Sequence, residues 1–296
     1  MSSVQTAEYN PAALSAEELD RQYNARASVP DWQVYLQAYQ AGSRQARDAL
    51  ACDTGVPYGP HLDETLDVFP GARPESPVFM FIHGGYWRAL SKDDSAFMAP
   101  ALHQAGATVV VVNYALAPAV SLEVIVQQCR RALAWVYRHI QGYNGNPARI
   151  HVCGHSAGGH LAGMLLAPGW HELFGVPHTV VHSVSSVSGL FDLRPLVHTH
   201  INEWLGLDAN SARTFSPLFL LPVAPCPTVL AWGALESAEF RRQSRLYANA
   251  LRNADAPVTL LEVPATNHFS VLQQLCLPDA ALSQAVYQAM GLRGGA

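Results

Sequence analysis

Residues 149–165 read RIHVCGHSAGGHLAGML: a short apolar run, a cluster of glycines around one serine, then apolar residues at helical spacing. A strand that turns at once into a helix leaves the hinge residue few conformations, and this constrains the chain more than any other stretch. Ile150, Val152 and Cys153 have the character of the end of a buried strand, whereas Leu161, Met164 and Leu165 recur as one face of a helix. In so tight a turn, side chains two residues before or after Ser156 would collide with their surroundings, and glycines stand at both places, 154 and 158. A serine hydroxyl is a weak nucleophile at neutral pH; at such a hinge it stands exposed where a base can reach it. The bare G-x-S-x-G pattern also fits an ordinary glycine-rich turn, so its meaning depends on its context.

That context is an alternation of strand-like and helix-like segments. The segment 16–50 reads as mostly helical with a break near Pro30, and 53–74 as irregular or hairpin-like with a strand over 64–69. The apolar runs 77–83 and 107–115 then read as buried parallel strands, and 121–140 as a helix. Strands are expected at 179–190, 227–234 and 258–265, and helices at 238–254 and from about residue 279. Such alternation implies right-handed crossovers, a mostly parallel sheet and helices on both of its faces, that is, an α/β fold. The expectation is a single domain over 1–296, with an N-terminal extension over 1–60 and a cap or lid excursion over 191–225.

In such a sheet the working loops follow the carboxyl ends of the strands, where Ser156, the HGGYW run, Glu236 and His268 all fall. Thirteen histidines are present, and position separates them. His268 lies in the loop after the last strand, where the base belongs when the chain order is serine, acid, histidine. Glu236 follows the preceding strand and is the expected acid, holding the imidazole in the tautomer that accepts the serine proton. It could equally be a carboxylate at a helix N-terminus, a role open to Glu239 too. Gly84, Gly85 and Tyr86 after the first strong strand, with Ala157 after the serine, are the expected oxyanion-hole donors; His83 is expected to pin that loop. Trp87, Phe191, Trp232 and Phe269 are the candidates for an aromatic substrate wall, each also explicable as core packing.

Composition narrows the function. Apolar residues make up 49% and charged residues 14%, which suits a sheet buried on both faces. A net charge of -5 without clustered Lys or Arg removes the electrostatic basis for nucleic-acid binding. The five cysteines form no paired or ligand-like spacing, and no metal ligand set or organic cofactor is implied. The first thirty residues lack a cationic start followed by an apolar run, and no stretch has the length of a membrane span, so a cytoplasmic protein is expected. The expected partner is a small molecule, an aromatic formamide or ester, and a homodimer is compatible with this reading.

The segments YNARASVPDW, HGGYW, NYALAP, GHSAGGHLA, SGLFDLRPL and ESAEFRRQS resemble the kynurenine formamidase (arylformamidase) branch of the α/β-hydrolases, related to the hormone-sensitive-lipase-type esterases. The resemblance runs over most of the chain and places nucleophile, acid and base on Ser156, Glu236 and His268. It departs in one place: the family usually has aspartate where this chain has Glu236, whose extra methylene must be accommodated by the histidine or the loop. The implied reaction is hydrolysis of an N-formyl arylamine, N-formylkynurenine giving kynurenine and formate, with no cofactor. A carboxylesterase for small acyl esters is the alternative, and a noncatalytic receptor for a small aromatic ligand a third.

Overall fold

A computed structural model describes residues 14–292; the first thirteen residues of the N-terminal extension and the last four of the chain lie outside the described residues. Eight strands form one sheet in the order β1-β2-β4-β3-β5-β6-β7-β8. The strands are β1 (Asp53–Pro57), β2 (Thr65–Phe69), β3 (Ser76–Ile82), β4 (Thr108–Val112), β5 (Gly145–His155), β6 (Ser183–Val187), β7 (Thr228–Gly233) and β8 (Val258–Val263). Strands β3 to β8 run parallel; β2 lies antiparallel to β4, and β1 antiparallel to β2. The sheet is the mostly parallel one of an α/β-hydrolase fold.

The continuous apolar runs are explained by burial on both faces. Along β3, Val78, Met80 and Ile82 enter one core cluster while Phe79 and Phe81 enter the other, and β4 divides Val110 and Val112 from Val109 and Val111 in the same way. Helices α1 (Ala16–Tyr23), α2 (Trp32–Ala49), α3 (Ala99–Gln104), α4 (Leu122–His139), α5 (Ala157–Leu166), α6 (Ala238–Asn253) and α7 (Ala281–Met290) are the longer ones. In α4, Leu122, Ile125, Val126, Cys129, Leu133 and Val136 are buried, the stripe that the spacing predicts. Ser121 caps that helix, its hydroxyl accepting from the Val124 amide at 3.3 Å. Burial of each such Leu, Ile or Val stabilises the fold by roughly 1.5–3 kcal/mol. Among the described residues no helix is long and apolar enough to cross a membrane.

One detail differs from the sequence expectation. The strand expected over 179–190 is confined to Ser183–Val187, because the Val180 amide turns back to the Pro177 carbonyl at 3.0 Å. The segment 191–225 is a chain of short helical turns, including Arg194–His198, Asn202–Leu205 and Ala209–Thr214.

The turn from β5 into α5 is as tight as its glycines imply. A Cβ on Gly154 would stand 2.1 Å from the Gly158 carbonyl oxygen, and one on Gly158 only 2.0 Å from that of Ile82 in β3. Ser156 sits at φ 55°, ψ -117°, a conformation that costs a non-glycine residue on the order of 1–3 kcal/mol. Its amide donates to the Val187 carbonyl at 2.8 Å, which ties the hinge to the end of β6. Gly158→Ala is therefore expected to destabilise the protein by roughly 2–4 kcal/mol. Wild-type resistance to urea in that variant would show that the backbones can separate at little cost.

Four histidines are buried in or beside the sheet and kept neutral. Burial pushes His83 and His160 down to about 4, and His151 and His155 down to about 3. Unfolding returns each to an ordinary value near 6.5, so below that pH the unfolded chain takes up protons that the folded chain refuses. Their contribution is present in full above about pH 6.5 and is lost as the pH falls toward 4, at up to about 1.4 kcal/mol per pH unit for each histidine. The melting temperature is expected to drop by several degrees between pH 7 and pH 5; a flat profile over that interval would contradict neutral burial.

Candidate active site

The loops after β3, β5 and β8 line one cavity of about 330 Å³, through Gly85 and Tyr86, Ser156, and His268. Ser156 follows β5, the Gly84–Tyr86 turn follows β3, Ser188 follows β6, Glu236 follows β7 and His268 follows β8. The parallel register sends all of these loops to the same edge of the sheet.

Glu236 is the centre of the hydrogen bonding. Its Oε2 accepts from His268 Nδ1 at 2.8 Å, while Oε1 accepts from the Gly233 amide and from Ser188 Oγ, each at 2.6 Å. A carboxylate only accepts here, so His268 carries its proton on Nδ1 and presents the lone pair of Nε2 as a base. The loop 233–236 closes as a tight turn, with the Glu236 amide donating to the Gly233 carbonyl at 3.0 Å. The longer side chain is thus accommodated by folding its loop back, and the carboxylate reaches both the loop amide and the imidazole. Glu239, the other acid considered, instead accepts from Tyr23 Oη at 2.6 Å and pairs with Arg242 through both carboxylate oxygens at 2.8 Å.

The turn after β3 lies at the edge of the cavity. Gly85 has φ +100°, and a Cβ there would stand 2.2 Å from the Ala89 carbonyl oxygen. The Gly84 carbonyl accepts from His83 Nδ1 at 2.9 Å and lies 3.4 Å from Tyr114 Oη; the Gly85 carbonyl accepts from the Arg88 and Ala89 amides at 3.0 Å. In a trans peptide the N–H points opposite to the carbonyl, so the Gly85 and Tyr86 amides face away from these partners. Gly85 and Tyr86 also line the cavity. Ala157 is the first residue of α5, where an amide has no acceptor within the helix. Gly84 lies against the hinge: a Cβ on it would be 3.2 Å from Ser156 Cβ. His83 stacks on Tyr114 at 4.1 Å and stays neutral through burial, which fits pinning the loop rather than carrying a proton.

Of the four aromatic candidates, Phe269 alone lines the cavity, in contact with Trp32 and Tyr35 of the N-terminal region at 6.3 and 6.1 Å between ring centroids. The other three are corrections. Trp87 is fully buried beneath its loop with Nε1 donating to His160 Nδ1 at 3.3 Å. Phe191 stacks on Tyr247 at 4.3 Å within a core cluster, and Trp232 points along the sheet, its Nε1 donating to Glu262 at 3.2 Å. Strand ends place a residue near a site, but alternation sends every second side chain into the core.

The wall is built instead from Leu36 and Tyr39 of α2, from Asn24 to Arg26 within the YNARASVPDW segment, and from His200 and Trp204 of the 191–225 segment. The N-terminal strip is fastened by Tyr23, which donates to Glu239, accepts from Gln243 Nε2 at 2.9 Å and offers its carbonyl to Tyr86 Oη. Two further residues escaped the sequence reading. Ser188 ends a strand within SVSSVSG, a position that points to the same edge as Ser156. His155, next to the hinge serine, donates from Nε2 to the His268 carbonyl at 2.8 Å, with the two rings 4.8 Å apart.

The chain is similar to several known proteins. The family model described as BD-FAE matches residues 66–192. The kynurenine formamidase of Danio rerio is 35% identical over 295 residues, covering 94% of this chain and 98% of its own length. Esterase LipQ of Mycobacterium tuberculosis is 27% identical over 246 residues, covering 75% of this chain and 58% of the esterase. Among solved structures, a Silicibacter sp. TM1040 protein described as a candidate thioesterase superposes with a TM-score of 0.80 at 29% identity, over 91% of this chain and 98% of that one. The near-complete coverage at 35% identity reaches from the N-terminal strip to the last helix, and the chain belongs to the kynurenine formamidase family of α/β-hydrolases.

Proposed function

We propose that the protein is an arylformamidase that hydrolyses N-formylkynurenine to kynurenine and formate through a formyl-enzyme on Ser156. The observation that carries this reading is the His268–Glu236 pair at 2.8 Å on a cavity that Ser156 and His268 both line, in a chain 35% identical to a kynurenine formamidase over 94% of its length.

The chemistry follows from the proton positions. Ser156 Oγ attacks the formyl carbon as His268 Nε2 takes its proton, and Glu236 stabilises the resulting imidazolium through Nδ1–H. The former carbonyl oxygen becomes an oxyanion, to which the Gly85, Tyr86 and Ala157 amides can donate; each such donor is typically worth about 3 kcal/mol in the transition state. His268 then gives its proton to the arylamine nitrogen, the C–N bond breaks and the amine departs, leaving a formyl ester on Ser156. Water, deprotonated by His268, attacks that ester; formate leaves and the proton returns to Ser156 Oγ. A formyl group needs almost no acyl space, so nearly all of the 330 Å³ is available to the leaving group.

A carboxylesterase is the second reading, favoured by the likeness to LipQ, because the same steps cleave an ester with an alkoxide as the leaving group. Specificity constants for N-formylkynurenine and p-nitrophenyl acetate separate the two. Strong preference for the formamide is expected, and Ser156→Ala is expected to abolish turnover of both while leaving the melting temperature close to that of wild type. Ester cleavage alone would move the protein to the esterase reading, and substantial hydrolysis by Ser156→Ala would remove the serine from the mechanism.

Removing the charge that supports the imidazolium should act on kcat. Glu236→Gln is expected to lower kcat by roughly 10³-fold or more, and Ser188→Ala, which strips one donor from Glu236, by roughly tenfold. Equal and small effects from the two variants would show that the carboxylate is a structural rather than a catalytic group.

A further inference from the structure

The cavity beside Ser156 has two guanidinium groups, Arg26 and Arg88, on its lining and no carboxylate there among the described residues. Six of the chain's other arginines, Arg21, Arg47, Arg131, Arg194, Arg242 and Arg245, each pair with an Asp or Glu. Arg26 and Arg88 have no acidic partner among the described residues and are held in another way. Arg26 lies over the Trp32 ring and Arg88 over the Trp204 ring, each 4.6 Å from the centroid. The Trp204 indole is itself fixed, its Nε1 donating to the Tyr86 carbonyl at 3.0 Å.

Stacking uses the face of a guanidinium and fixes its plane, but leaves the N–H donors at its edge free for a planar anion. The acids close by are already engaged. Asp20 accepts from the backbone and the ring of His200, at 2.6 and 2.5 Å, and Glu236 has its three donors. In a protein of net charge -5, two oriented, carboxylate-free cations at the mouth of one cavity form a local site for an anion. The apolar wall of Leu36, Tyr39, Trp204 and Phe269 fits the ring that precedes that anion.

We propose that Arg26 and Arg88 bind a carboxylate on the leaving-group side of the substrate, so that the site selects carboxylate-bearing formyl arylamines over neutral ones. This rests on the formamidase reading and adds the charge of the substrate class to it. The acyl side is too small to discriminate, and selection falls to the far end of the leaving group, where the two arginines stand. Because the mouth is exposed, the attraction weakens with salt.

The test compares N-formylkynurenine with its α-carboxamide, which has the same size and lacks the carboxylate, on wild type, Arg26→Gln, Arg88→Gln and the double variant. Wild type is expected to prefer the acid by at least about tenfold in kcat/KM, the difference lying in KM and shrinking as sodium chloride is raised. In the double variant the two substrates are expected to come within about threefold of each other. An undiminished preference in the double variant, or wild-type cleavage of both formamides with equal efficiency, would overturn the proposal while the formamidase reading stands. Cleavage of neither formamide by protein that still hydrolyses p-nitrophenyl acetate would instead overturn the formamidase reading, and this proposal with it.

Discussion

A buried carboxylate is costly unless donors surround it, and Glu236 meets that demand by drawing three strand ends together. The Gly233 amide comes from the end of β7, the Ser188 hydroxyl from the end of β6, and His268 Nδ1 from the loop after β8. Each donor is fixed by its own strand, and the strands are fixed by ladder bonds and by the two cores that bury both faces of the sheet. The carboxylate therefore acts as a constraint on loop geometry before it acts on any proton. Its two oxygens divide the work: one is held by the scaffold, and the other is left to orient the imidazole.

The same economy of contacts organises the cavity wall. Gln243, fully buried on α6, accepts from the Phe191 and Asp192 amides at 2.8 Å and donates to Tyr23 Oη at 2.9 Å. One side chain thus couples the loop after β6, the start of the 191–225 segment and the N-terminal strip. Phe240 of that helix packs on His268 at 4.6 Å, so the α6 face that fastens the wall also steadies the base. Helix α6 thus supports both the N-terminal strip of the cavity wall, through Gln243, and His268, through Phe240.

How much of this was legible in the sequence depended on whether local or distant contacts decide it. The sheet was legible because β3 and β4 are continuous apolar runs, which only two-sided burial explains. The hinge was legible because Gly154 and Gly158 are local necessities of one turn. Glu236 and His268 followed from their order along the chain relative to the strands. The cavity lining was not legible. Trp87, Phe191 and Trp232 sit near strand ends, yet Trp87 and Phe191 pack into the core and Trp232 bonds to Glu262 on the neighbouring strand, whereas Tyr39, His200 and Trp204 arrive from segments distant in sequence. The ESAEFRRQS segment lay between these cases: it was recognisable as a motif, while the work of Glu239, Phe240 and Gln243 depends on Tyr23, more than two hundred residues away.

Two imidazoles stand 4.8 Å apart at the centre of the site, and only one of them has a carboxylate at its ring. His155 is enclosed by protein; burial, and then the neighbouring His268, push it down to about 3. Its Nε2–H is committed to the His268 carbonyl, so it holds the backbone of the base while contributing no charge. Were it cationic, it would oppose the imidazolium that His268 must form during turnover, since like charges at this separation in a poorly solvated site repel strongly. His268 differs in having the Glu236 carboxylate at Nδ1, 2.8 Å away. On the proposed mechanism the proton from Ser156 therefore goes to His268, whose Nδ1 is held by Glu236, and not to His155.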